Sequence, residues 1–157
     1  MEKEQIGELI QYLVKYELAI ASLYETFASI LPESKDDWMS FINEERLHAK
    51  WIDTLHTYLK NEKISFEQTK FTIQSVKTAI NYVEDQINKA KKTGTDLNES
   101  LNTAINIEKS LLESTFFKVF NLSNPGAKKV RTRLEEATRS HLERLVEWRN
   151  NLSPSQK

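Results

Sequence analysis

The chain has 157 residues, 22 basic and 23 acidic, for a formal charge of −1. That length fits one domain with one sizeable core, and the near-neutral balance lacks the clustered basic excess that nucleic-acid binding uses. No cysteine is present, which excludes disulfides, thiolate catalysis, zinc ribbons and Fe–S clusters. The apolar runs are short (Leu18 to Ala21 is one), so no membrane span and no secretory leader is expected, and the reading is a cytoplasmic protein.

Only three glycines and three prolines punctuate the chain, and alternating β-branched runs are lacking, so the expectation is an all-α protein. A first helix over about 3–30 should stop at Leu31-Pro32, because proline disfavours α geometry in the residue before it. A second should be capped at Ser34 or Asp36 and run to about Lys60, with Asn61-Glu62-Lys63 as a turn. A third, about 66–92, carries Ile73, Val76, Ile80, Val83 and Ile87 on one face. Lys91-Lys92 suit its negative end, and Gly94 can take the left-handed cap. A fourth runs from about Asp96 to Phe120. Asn124-Pro125-Gly126 reads as a turn, and a fifth helix spans about Ala127 to Asn150. Residues 1–152 then form one domain, and 153–157 a disordered tail. Similar lengths and short breaks suggest antiparallel packing in a bundle.

Charge interrupts the apolar stripes at informative places. The first helix reads Ile6, Ile10, Leu13, Glu17, Ile20, Tyr24, Phe27, a bundle-core spacing broken only by Glu17. The second reads Phe41, Glu45, His48, Ile52, Leu55, Leu59, with Glu45 and His48 on one face. The fourth gives Leu101, Ala104, Glu108, Leu111, Thr115, and a parallel register through Ile105, Leu112 and Val119 also contains Glu108. The fifth gives Val130, Leu134, Thr138, His141, Leu145, Trp148. Four helices thus each turn ionisable groups inward. Burying unpaired carboxylates costs several kcal/mol each, roughly, so three Glu near two His must be protonated, paired with the imidazoles, or bound to a cation. Oxygen plus imidazole ligands suit Fe, Mn or Zn better than Ca or Mg. Glu44, Glu135, Glu136 and Glu143 fall off the stripes and read as solvent-facing. His56 reads as an edge or surface residue, and Trp38, Trp51 and Trp148 as core or rim packing.

These residues resemble the ferritin-like superfamily, and within it rubrerythrin-type proteins. KYELAIASLYETFA resembles the first ligand helix with Glu17, FINEERLHAKWIDTL the second with Glu45 and His48, AINIEKSLLESTFF the third with Glu108, and LEEATRSHLERLVEW the fourth with His141. The resemblance implies a four-helix bundle, the stretch 66–92 being a helical crossover between its second and third helices. It further implies one or two metal ions, iron foremost with Mn or Zn possible, held by Glu17, Glu45, His48, Glu108 and His141. The implied activity is an oxidase or peroxidase acting on O2 or peroxide and fed by an external electron donor; a homodimer is expected on the general base rate of oligomers. Tyr24 and Thr138 would stand behind the ligands. Three departures mark this chain. Thr138 occupies the place of the expected bridging Glu, Ile105 and Leu111 stand where a further carboxylate is found, and no Cys-rich donor domain is present. Three carboxylates leave two divalent ions with a net charge of +1, so the fuller position is expected around Glu17, Glu45 and His48 and a weaker one at Glu108 and His141. The alternative is a non-catalytic, stress-associated binding protein with a mononuclear or empty site; an iron-storage shell is a third possibility.

Overall fold

The computed structural model describes residues 2–59, 66–113 and 124–157. All regular structure among them is helical: α1 (Glu2–Ile30), α2 (Lys35–Asp53), α3 (Leu55–Leu59), α4 (Phe66–Thr93), α5 (Leu97–Glu113) and α6 (Pro125–Asn150). None of these helices is long and apolar enough to cross a membrane.

The boundaries follow local chemistry. α1 ends where Leu31 donates its N–H to the Phe27 carbonyl (2.8 Å) and then leaves helical geometry ahead of Pro32. Ser34 stands at the N-cap position of α2, but its hydroxyl turns back to the Leu31 carbonyl (3.0 Å) instead of capping. Asp36 and Asp37 supply negative charge in that first turn. The second stretch is not one helix to about 60. It breaks at Thr54, whose hydroxyl donates to the Trp51 carbonyl and whose N–H is shared between the Lys50 and Trp51 carbonyls, a back-bonding that tightens and bends a helix. The inward stripe survives the break, since Leu55 and Leu59 are both buried. Gly94 closes α4 at φ +74°, donating to the Ala90 carbonyl (2.8 Å). Asp96 Oδ1 accepts the Glu99 N–H (2.7 Å) and starts α5. α6 begins two residues before the expected Ala127: Asn124 Oδ1 caps the Ala127 N–H (3.1 Å), and Pro125 takes the first helical position, where its missing N–H costs nothing. The expected turn at 61–63, the end of the fourth stretch near Phe120, Thr115 and Val119 lie outside the described residues. Leu152 is buried, and Pro154–Gln156 form an exposed 3-10 turn closed by the Gln156 side chain on the Ser153 N–H (3.0 Å).

α1 lies along α2 and along α4, and α5 lies along α6; α6 also touches α2 and α3. All seven members of the α1 stripe and all six of the α2–α3 stripe are buried. Each buried Leu or Ile contributes about 1.5–3 kcal/mol of transfer free energy. Beside the polar middle, aromatics fill the core: Trp38 packs on Tyr24 (ring centroids 5.2 Å), Phe27 (5.2 Å) and Trp148 (4.9 Å), and Phe41 stacks on Trp148 (6.3 Å, 7°). These rigid rings fix the depth at which α2 and α6 meet, and so the height of the groups one and two turns along from Phe41.

Candidate metal centre

All five sequence-proposed ligands are buried, between 1 % and 3 % exposed. Glu45 is the hub. Its Oε1 lies 2.8 Å from His141 Nδ1, and its Oε2 lies 3.3 Å from His48 Nδ1. Glu17 Oε2 approaches His48 Nδ1 from α1 at 3.9 Å. Glu108 Oε1, from α5, lies 3.4 Å from His141 Nδ1 and accepts the Tyr24 hydroxyl at 3.1 Å. The two imidazoles face each other with centroids 4.9 Å apart. Glu45 and His48 can do this together because three residues turn a helix by about 300°, leaving them on one face.

The grouping differs from the expected split into Glu17/Glu45/His48 and Glu108/His141. His141 stands nearer Glu45 than Glu108, so the compact set is Glu45, His48 and His141, one ligand atom from each lying within 4.8 Å of the others. Glu17 and Glu108 flank it. Thr138 is buried, but its hydroxyl donates to the Leu134 carbonyl (2.8 Å) on its own helix. Tyr24 is fully buried and turned onto Glu108, the position behind a ligand proposed for it.

Two further charges, Glu44 and Arg144, lie next to the cluster. Glu44 is not a free surface residue: its Oε2 meets His141 Nε2 at 3.0 Å, and Arg144 Nη1 grips both its oxygens at 2.9 and 2.7 Å. Arg144 Nη2 also donates to Ser40 Oγ (2.8 Å), and the guanidinium lies 4.4 Å over the Phe41 ring. The nearest signal in the chain is weak, because Glu44 points about 100° away from Glu45 around α2 and its partners lie about a hundred positions on.

The electrostatics of this cluster are strained without a cation. Burial, and then the Glu45 charge, hold the Glu17 carboxyl well above the ordinary range. The same two causes, against the opposing pull of His141, bring Glu108 to about 7. Burial would raise Glu45 too, but the two imidazoles outweigh it and keep that carboxyl well below the ordinary range. Burial works downward on His141, yet Glu108, Glu44 and Glu45 together push it up to about 12. Contact with His141, then Arg144, draws Glu44 down to about 2.

The donor set fits a divalent ion on a second count. Glu17 Oε2 and both oxygens of Glu45 are buried with no aligned hydrogen bond, despite their short approaches to the imidazole nitrogens. Leaving such acceptors unsatisfied costs about 1–3 kcal/mol each, more when charged. One ligand atom from each of Glu45, His48 and His141 lies within 4.8 Å of the others, and the Glu45 oxygens stand 2.8 and 3.3 Å from the two imidazole nitrogens, spacings open to ligands about 2.0–2.2 Å from a shared ion. Set against protein-family models, curated proteins and solved structures, the chain matches none.

Proposed function

We propose that this chain is a metal-binding protein of ferritin-like, rubrerythrin-like type, with α1, α2, α5 and α6 as its bundle and α4 as the helical crossover, acting on O2 or peroxide. The observation that carries the metal reading is the convergence of three unsatisfied carboxylate oxygens and two imidazoles from different helices in the buried middle of the protein. The oxidase or peroxidase chemistry rests on the resemblance of the four ligand segments. Glu45, His48 and His141 hold the ion, and Glu17 and Glu108 supply the flanking charge. Bound iron would supply the electrons that reduce O2 or peroxide, replenished by an external donor. Around it, the apolar stripes exclude bulk water, and Tyr24 fixes Glu108 by its hydroxyl.

The test is metal content after aerobic purification, with melting temperature measured with and without Fe(II), Mn(II) or Zn(II). Wild-type protein should carry at least half an ion per chain, and a saturating ion should raise the melting temperature by several degrees through mass action. His48→Ala should lose both effects. Near-zero metal and no shift in either protein would end the reading. A second reading, a non-catalytic mononuclear site, is favoured by the compactness of the triad and by the use of the Thr138 hydroxyl on its own helix. Saturation at one ion per chain, with no turnover of peroxide by the ferrous protein given a reductant, selects it.

A further inference from the structure

His141 has two ring nitrogens, and only one faces the cluster. Nδ1 looks inward at Glu45 Oε1 (2.8 Å) and Glu108 Oε1 (3.4 Å), while Nε2 looks outward at Glu44 Oε2 (3.0 Å). Glu44, held through both oxygens by Arg144, is placed to accept a hydrogen bond from Nε2–H, while the inward carboxylates compete for a proton on Nδ1, the one a cation would displace. In a neutral imidazole protonated at Nε2, the lone pair is on Nδ1, aimed at the triad. Without Glu44 the opposite tautomer is open: Nδ1–H turns to Glu45, the lone pair faces outward, and the ring is lost as an inward ligand. Glu44 could not do this as a loose surface side chain. It is 39 % exposed, yet it is pinned through both oxygens by Arg144, which is itself tied to Ser40 Oγ and laid over Phe41. Phe41 meets the His141 ring edge-on at 5.3 Å and braces its plane.

We infer that Glu44, clamped by Arg144, is a positioning residue that selects the His141 tautomer and thereby presents Nδ1 to a bound cation. The inference rests on the metal reading above and adds to it a two-residue brace from the α2–α6 surface. Partners of this kind typically change metal affinity by about 10- to 100-fold.

The experiment uses Co(II) alone as probe, titrated into the full chain at fixed pH and followed by its visible absorption. Glu44→Ala should weaken Co(II) about 10- to 100-fold and shift the band, with far-UV circular dichroism unchanged. Glu44→Gln keeps an acceptor for Nε2–H and should stay within about 5-fold of wild type. Arg144→Ala, which frees Glu44 to swing, should fall between them. In the Zn(II)-loaded wild-type protein, a 1H–15N spectrum of the imidazoles should show His141 protonated at Nε2 and metal-bound at Nδ1, a readout that needs no variant to fold. Wild-type affinity and spectrum in Glu44→Ala would overturn the inference, as would equal losses in the Ala and Gln variants, or a proton on Nδ1. Those outcomes in a wild-type protein that binds Co(II) leave the metal reading standing. A wild-type protein that takes up neither ion sinks both.

Discussion

Glu45 shows what the buried middle asks of a single residue. Its two oxygens are shared between imidazoles from two helices, and neither approach has the alignment of a hydrogen bond. In the metal-free protein this has a pH signature whose sign can be worked out. Glu108 at about 7 keeps in the folded state a proton that the unfolded chain releases near 4.5, so stability falls as pH rises from 4.5 through 7. His141 at about 12 keeps a proton that the unfolded chain loses near 6.5, so stability goes on falling above 6.5. Glu44 at about 2 acts oppositely, its contribution being present above 4.5 and lost as pH falls through 2. Metal-free protein should therefore melt highest near pH 4.5, where the Glu44 gain is complete and the Glu108 loss begins, and several degrees lower at about pH 8.5. Glu108→Gln should flatten the part of that profile between 4.5 and 7. Tyr24→Phe, which removes the donor to Glu108 Oε1, should cost about 1–2 kcal/mol in urea unfolding. At this scale the five inward ionisable side chains were legible in the chain because each interrupts an apolar period. Glu44 was not, because its role comes from Arg144 and His141, about a hundred positions away, and no local spacing encodes that meeting.

Among the elements, the stops were more legible than the caps. Pro32, Gly94 and Pro125 sit at or beside boundaries for reasons of backbone geometry that any neighbour respects. Ser34 and Thr54 were harder, because a hydroxyl can cap forward or bond backward and the choice depends on tertiary packing. Gly94 offers a clean measurement. A Cβ there would meet nothing within 4 Å, so Gly94→Ala tests the positive φ alone and should cost about 1 kcal/mol by urea unfolding. Asn124→Ala, which removes the cap of α6, should cost about the same. A null result in either would mean that the helix end relaxes to another geometry.

In the whole molecule, the heptads said which face of each helix turns inward, but not which helices would be neighbours. That α4 lies along α1 is a packing outcome: α4 carries an apolar stripe like the others, yet among the described residues no ionisable side chain from it joins the cluster of Glu17, Glu45, His48, Glu108 and His141. A cation in the cluster should consequently tie α1, α2, α5 and α6 together and leave α4 outside the tie. Hydrogen exchange with and without Mn(II) should show added protection in mid-α2 and mid-α6, and little change along Ile80–Thr93. Uniform protection across all helices would point instead to general stabilisation of the fold.

Trp51 lies 5.3 Å from the His48 ring, centroid to centroid, with the Arg133 guanidinium over its own face. If His48 coordinates as proposed, an indole that close to its imidazole is a built-in lamp for the centre. Its emission should dim when a paramagnetic ion such as Co(II) or Mn(II) arrives and stay bright with Zn(II), so filling can be timed by light in the unlabelled protein.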